Sequence, residues 1–201
     1  MVNRLEEELE DIKVYAVEND IPIMEDEGIH FLIEKLKEMN CHSCLEIGSA
    51  IGYSAIIMAS LAKDIKVTTI ERDRERYKLA AMNIEQMNLA SQIDIYCADA
   101  LHFDTVNLEK EYDLIFIDAA KAQYQKFFEK YENFLADNGT IIVDNIDFHG
   151  FVNGDRLTNN RNTRQLVNKI RKFIDWLKNN ASYNTEYHKI GDGIFVVKRK
   201  V

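Results

Sequence analysis

Two apolar runs in this chain end in oxygen-bearing side chains. Leu114-Ile115-Phe116-Ile117 leads into Asp118-Ala119-Ala120-Lys121, and Ile141-Ile142-Val143 leads into Asp144-Asn145. Short runs of β-prone residues, each followed by a helical pattern or loop, read as buried parallel strands. In open sheets of that kind ligands bind beyond the carboxyl ends of the strands, so both acidic tips belong at one edge. Two carboxylates and an amide offer hard oxygen ligands, which suit Mg²⁺ or Ca²⁺ better than zinc and leave positions for water or substrate. A substrate-binding metal site is the expectation from these two segments.

The bulk properties suit an ordinary enzyme domain. At 201 residues, 46% hydrophobic and 29% charged, the chain has enough apolar mass for one core and is expected to form a single domain over 1–201. No apolar run approaches membrane-spanning length, and the first residues (Met1-Val2-Asn3-Arg4-Leu5-Glu6-Glu7-Glu8) are acidic where a signal peptide is basic and then apolar. A cytoplasmic location without a membrane partner is expected. Three cysteines include Cys44 and Cys97 on or beside strand patterns, as for reduced, buried thiols. Cys41-His42-Ser43-Cys44 matches C-x-x-C, but no second such pair completes a zinc site and no Pro or Trp flanks it.

Charge is distributed unevenly. Residues 1–40 carry 4 Lys+Arg against 12 Asp+Glu, residues 41–149 carry 10 against 18, and residues 150–201 carry 11 against 4. Arg156, Arg161, Arg164, Lys169, Arg171 and Lys172 fall in or beside one helical pattern. Phosphate binding and a merely solvated helix face are both open for them.

From about residue 43 the pattern alternates strand and helix, after a helical lead-in over 1–40. Strands are expected at 44–47, 67–70, 93–96, 114–117 and 141–143, and helices at 53–62, 75–87, 124–135 and 164–178. Leu79, Met82 and Gln86 share one side of the second of these helices, and Leu166, Ile170, Phe173, Ile174 and Leu177 recur at core spacing in the last. Ile190-Gly191-Asp192-Gly193-Ile194 reads as a hairpin joining 186–189 to 195–197, so an antiparallel pair closes a parallel sheet.

The first strand runs into Glu46-Ile47-Gly48-Ser49-Ala50-Ile51-Gly52-Tyr53-Ser54, a glycine-containing turn that opens a helix. A nucleoside-like cofactor fits such a strand end, beside a helix amino terminus, although two glycines in a turn can also be structural. The spacing is G-x-x-x-G, and the dinucleotide fingerprint G-x-G-x-x-G is absent. Glu71 ends the next strand, 19 residues after Gly52, where a carboxylate can accept from ribose hydroxyls. Asp99 follows the third strand and can read an exocyclic amine or cap the next helix.

Taken together, E-I-G-x-x-x-G-Y-S, T-I-E-R, F-I-D-A-A-K-x-Q-Y and V-D-N resemble the class I S-adenosylmethionine-dependent, metal-dependent O-methyltransferases, the family of caffeoyl-CoA and catechol O-methyltransferases. The resemblance runs from Ile21-Pro22-Ile23-Met24 to the Gly191-Asp192-Gly193 hairpin. It is strongest to the bacterial branch that methylates 5-hydroxyuridine in tRNA. It implies an α/β, Rossmann-like class I methyltransferase fold, with a mostly parallel seven-stranded sheet, an antiparallel C-terminal hairpin and helices on both faces.

The resemblance also implies roles. Asp118, Asp144 and Asn145 would bind Mg²⁺ or another divalent cation, and Lys121 would be the general base, against the alternative of a surface lysine starting a helix. Met24, Gly48, Ser54, Glu71, Asp99 with Ala100, and Asp118 would hold S-adenosyl-L-methionine. A substrate with two adjacent oxygens can chelate such a metal, as catechols do and as 5-hydroxyuridine does through its hydroxyl and C4 carbonyl. Ala119-Ala120 stand where catechol enzymes usually carry bulky side chains, which suggests room for something larger, and the basic carboxyl-terminal segment suits a tRNA. A small phenol or CoA ester remains the alternative substrate, and a non-enzymatic RNA-binding module the alternative to an enzyme. Homodimerisation is common in the family. Relatives usually carry further helical sequence before the I-P-I-M segment, so dimer or lid contacts are expected to be reduced.

Overall fold

The computed structural model describes residues 2–200, with side chains from residue 5 onward. They form two compact units, Met1–Leu108 and Glu109–Val201.

The first unit opens with helices α1 (Val2–Glu18) and α2 (Asp26–Glu38), then alternates β1 (Ser43–Ile47), α3 (Tyr53–Ser60), β2 (Lys66–Glu71), α4 (Arg74–Gln86) and β3 (Ile93–Cys97). The strands are parallel, in the order β3-β2-β1, with Cys44 opposite Val67 and Val67 opposite Ile93. Helix α3 is short and buried from Tyr53 to Ala59, which is why Y-S-A-I-I-M-A has no polar stripe. It stops at Ser60, two residues before the expected end. On α4 the buried side chains are Ala80 and Ile84, whereas Met82 is exposed. The side shared by Leu79, Met82 and Gln86 lines an open groove of about 570 Å³ against α1. Asp73 caps α4, accepting from the Glu75 and Arg76 amides, which pulls its carboxyl below the ordinary value.

The second unit contains β4 (Tyr112–Ile117), α5 (Tyr124–Tyr131), β5 (Leu135–Val143), α6 (Arg161–Lys178), β6 (Tyr183–His188) and β7 (Ile194–Arg199). Its strand order is β4-β5-β7-β6, with β4 and β5 parallel and the β5/β7 and β6/β7 pairs antiparallel. Two expectations change here. The helix expected over 124–135 ends at Tyr131, followed by a 3₁₀ turn at Glu132–Phe134. Leu135 already belongs to β5, which has nine residues because the polar Asp137-Asn138-Gly139 is drawn into the strand, with a register shift against β4. Helix α6 begins at Arg161, three residues early, because Asn160 accepts from the Asn162 and Thr163 amides.

Leu114, Ile115, Phe116, Ile117, Ile141, Ile142 and Val143 are fully buried. Each contributes roughly 1.5–3 kcal/mol by leaving water. Helix α6 buries Val167, Ile170, Phe173 and Leu177, while Leu166 and Ile174 pack half-buried against this core. Phe128 meets Trp176 and Tyr183 edge-on and lies 6.2 Å from Phe173. Among the described residues no helix is long and apolar enough to cross a membrane. Cys41 and Cys44 are buried and not joined in a disulfide, with sulfurs 3.5 Å apart. Cys97, expected to be buried, is exposed, because it ends β3, which pairs with β2 on one side only.

Candidate active site

In the first unit the turn after β1 is tied down by backbone and acid together. The Gly48 N–H donates to the Ile70 carbonyl (2.9 Å), and the Gly52 N–H to that of Ser49 (2.7 Å). Gly52 has φ +85°, and a Cβ there would sit 3.3 Å from the Ala80 methyl. Both facts call for glycine at the start of α3. Glu71 is buried and shared between two loops: Oε2 accepts from the Ala50 amide (2.9 Å) and Oε1 from the Asp73 amide (2.7 Å). Carboxylate lone pairs remain for further donors. Ser54 Oγ donates to Glu46 Oε1 and Thr69 Oγ1 to Glu46 Oε2, both at 2.5 Å. Glu46 is thus a buried carboxylate that fixes Ser54 and joins β1 to β2.

Asp99 Oδ1 accepts from the Leu101 amide (2.8 Å) in a turn, and no helix starts there for it to cap. Neighbouring Ala100 is buried. Met24 is buried on the link between α1 and α2, so close to Gly28 that a Cβ there would lie 2.8 Å from its terminal carbon. Ser49 Oγ is buried without a hydrogen-bond partner. An orphaned hydroxyl in a glycine turn at a helix amino terminus fits a polar ligand such as a nucleoside cofactor.

In the second unit Asp118 follows β4, and Asp144-Asn145 follows β5. The strands run parallel with Ile117 opposite Val143, so both tips lie at one edge. Asn145 Nδ2 donates to Asp118 Oδ1 (3.3 Å), and the Asn145 N–H donates to Asp144 Oδ1 (2.7 Å). Asn145 takes a left-handed conformation, φ 60°, which asparagine tolerates better than most residues. Tyr124, fully buried at the start of α5, donates its hydroxyl to the Asp144 carbonyl (2.7 Å).

The electrostatics fit a bound cation. Burial, then the facing charge of Asp118, pushes the Asp144 carboxyl up to about 8, against the Asn145 N–H and Lys121. Lys121 begins the 3₁₀ turn at Lys121–Gln123. Burial lowers its pKa, while Asp118, Asp144 and Asp192 oppose that shift. Among the described residues no three His, Cys, Asp or Glu side chains form a metal cluster, so the fit rests on two carboxylates and an amide. That donor set and the repulsion it relieves suit a hard divalent ion.

Several residues described in the two units have no sequence period to betray them. Ser49, Tyr124 and Asp192 emerge only from the geometry. Glu46 carried a weak signal, an acid inside an otherwise apolar strand.

Seven strands, mostly parallel with an antiparallel carboxyl-terminal pair and flanked by helices, define the Rossmann-like methyltransferase class. A family model described as O-methyltransferase matches residues 2–200, and the chain belongs to that family. It is 31% identical over 187 residues to an Arabidopsis thaliana protein provisionally named caffeoyl-CoA O-methyltransferase, covering 92% of this chain and 79% of the relative. Among solved structures, a Staphylococcus aureus protein of the same provisional name superposes with TM-score 0.91 at 36% identity, over 96% of this chain and 92% of that one. A Bacillus cereus O-methyltransferase in complex with S-adenosylhomocysteine superposes with TM-score 0.82 at 25% identity, over 96% and 91%. The chain is therefore an S-adenosylmethionine-dependent O-methyltransferase of the caffeoyl-CoA O-methyltransferase type. A non-enzymatic RNA-binding module is set aside.

Proposed function

We propose that the chain methylates a hydroxyl flanked by a second oxygen, with a divalent cation as a resident group, and that this hydroxyl belongs to 5-hydroxyuridine at the wobble position of a tRNA anticodon, giving 5-methoxyuridine. The observation that carries the chemistry is the juxtaposition of Asp118, Asp144 and Asn145 beyond two parallel strands, with Lys121 beside them.

In this reading Asp118, Asp144 and Asn145 hold Mg²⁺ or a similar ion. Met24, Gly48, Ser54, Glu71, Asp99, Ala100 and Asp118 hold S-adenosylmethionine. When bound, the cation acidifies and orients the substrate hydroxyl, and the sulfonium supplies the methyl group. Lys121, its pKa lowered by burial, accepts the hydroxyl proton on Nζ. Methyl transfer would form an oxygen–methyl bond as the sulfur–methyl bond breaks, and Lys121 would pass the proton on to solvent. Lys121→Met is expected to lower kcat by about 10²–10⁴ with S-adenosylhomocysteine affinity unchanged. Equal loss of both would remove the assignment.

The tRNA reading is supported by charge and by space. Arg156, Arg161, Arg164, Lys169, Arg171 and Lys172 are all exposed, and Ala119-Ala120 leave the stretch after Asp118 without bulk. Arg171 has a structural duty as well, donating to the carbonyls of Val152 (2.9 Å) and Phe151 (3.2 Å). A second reading, a small phenol or a CoA ester, is favoured by the names of the relatives. Mass spectrometry of tRNA nucleosides with and without the gene decides between them. Loss of 5-methoxyuridine is expected on deletion, and an unchanged profile with methyl transfer to caffeoyl-CoA or catechol would establish the second reading. EDTA should abolish activity and Mg²⁺ restore it. A cytoplasmic location and a homodimer complete the proposal, and light scattering of the purified chain measures the latter.

A further inference from the structure

The backbone that runs on from Asp144 and Asn145 takes a costly path. Phe148, His149 and Gly150 have φ of 46°, 55° and 79°, three successive left-handed residues of which two carry bulky side chains. For Phe148 and His149, which carry a Cβ, such a conformation is strained and persists only where the surroundings over-determine it.

What holds them is the turn between β6 and β7. The Ile146 N–H donates to the Gly193 carbonyl (2.9 Å), and the Asp147 N–H to that of Asp192 (2.7 Å). The His149 N–H donates to Asp192 Oδ1. His149 Nδ1 lies 3.6 Å from Asp192 Oδ2. Gly193 has φ +82°, and a Cβ there would come within 2.8 Å of the Asp147 carboxyl carbon, so the turn lies flush against the loop. Tyr187 adds a bond from β6, its hydroxyl donating to Asp147 Oδ2 (2.5 Å). The Asp192 side chain is only 10% exposed. A carboxylate withdrawn from water to accept one loop amide is costly for folding alone, and its charge reaches Asp144 and Lys121.

We propose that Asp192 is a positioning residue for the reaction: through the His149 amide it holds the loop that leaves Asp144-Asn145, and thereby keeps those two side chains aimed at the cation. This rests on the metal-assisted reading above. In this role Asp192 acts through the backbone, as outer residues around metal ligands do.

The test uses the full chain with Mn²⁺ as probe. Calorimetry of Asp192→Ala is expected to show Mn²⁺ affinity weakened about tenfold or more, with S-adenosylhomocysteine affinity unchanged. Asp192→Asn keeps an acceptor oxygen for the His149 amide and should bind Mn²⁺ close to the wild type. In hydrogen exchange the His149 amide should be protected in the wild type and in Asp192→Asn. It should lose protection about tenfold in Asp192→Ala. If Asp192→Ala binds Mn²⁺ like the wild type, or if Asp192→Asn loses as much as Asp192→Ala, the proposal falls. Should Asp192→Ala fail to fold, the wild-type His149 amide and Asp192→Asn decide, and rapid exchange in either refutes the clamp. A wild type that binds no Mn²⁺ would overturn the metal reading instead, while exchange at His149 would still report on the clamp.

Discussion

Single residues in the glycine turn carry two constraints at once, conformation and space. Gly52 needs a positive φ and abuts Ala80. Gly52→Ala is expected to destabilise the chain by roughly 1–2 kcal/mol, the left-handed penalty for a Cβ, and to raise KM for S-adenosylmethionine. A melting curve and a cofactor titration check both. Asp73 sits at the other end of the same network, its amide on Glu71 and its carboxylate on α4. Its folded pKa lies below the ordinary 3.8, so its stabilisation is present above that value and lost as pH falls through the folded one. Asp73→Ala should therefore melt below the wild type at neutral pH, with the gap closing in acid. The glycines and Glu71 were legible as residues because backbone freedom and a strand-end acid leave marks in sequence. That both Glu71 oxygens accept from backbone amides was not, because such bonds follow loop geometry and have no spacing to read.

At the level of elements, buried strands announced themselves best. The runs 114–117 and 141–143 are apolar on both faces, as parallel strands covered on each side must be. The amino-terminal half of β5 stayed hidden because Asp137-Asn138-Gly139 reads as a turn. The first turn of α6 was missed because its residues, Arg161-Asn162-Thr163, carry no apolar periodicity, while its start is encoded in Asn160. Asn160→Ala should cost about 0.5–2 kcal/mol, measured by urea denaturation. Phe128 is fully buried among Phe173, Trp176 and Tyr183. Phe128→Ala should cost about 3–5 kcal/mol and would test whether this aromatic cluster carries the second unit's stability.

For the whole molecule, the expectation of one domain becomes a calorimetric statement: thermal unfolding in a single transition. A ligand that binds only the folded chain raises stability by an amount set by its concentration, about 2.7 kcal/mol at a hundred times Kd. Mg²⁺ and S-adenosylhomocysteine should each raise Tm, and EDTA should reverse only the first. The acidic first 40 residues and the basic last 52 make association with a polyanion steeply salt-dependent if the basic segment is its footprint. The cysteines offer a way to watch these events in the unaltered chain. Cys97 is exposed and lies opposite Glu71 in the β2/β3 register, whereas Cys41 and Cys44 are buried. One maleimide fluorophore would therefore attach selectively beside the carboxylate assigned to the ribose and report cofactor arrival as a change in emission. The two hidden thiols would react only as the fold opens, which turns their labelling rate into a stopwatch for unfolding.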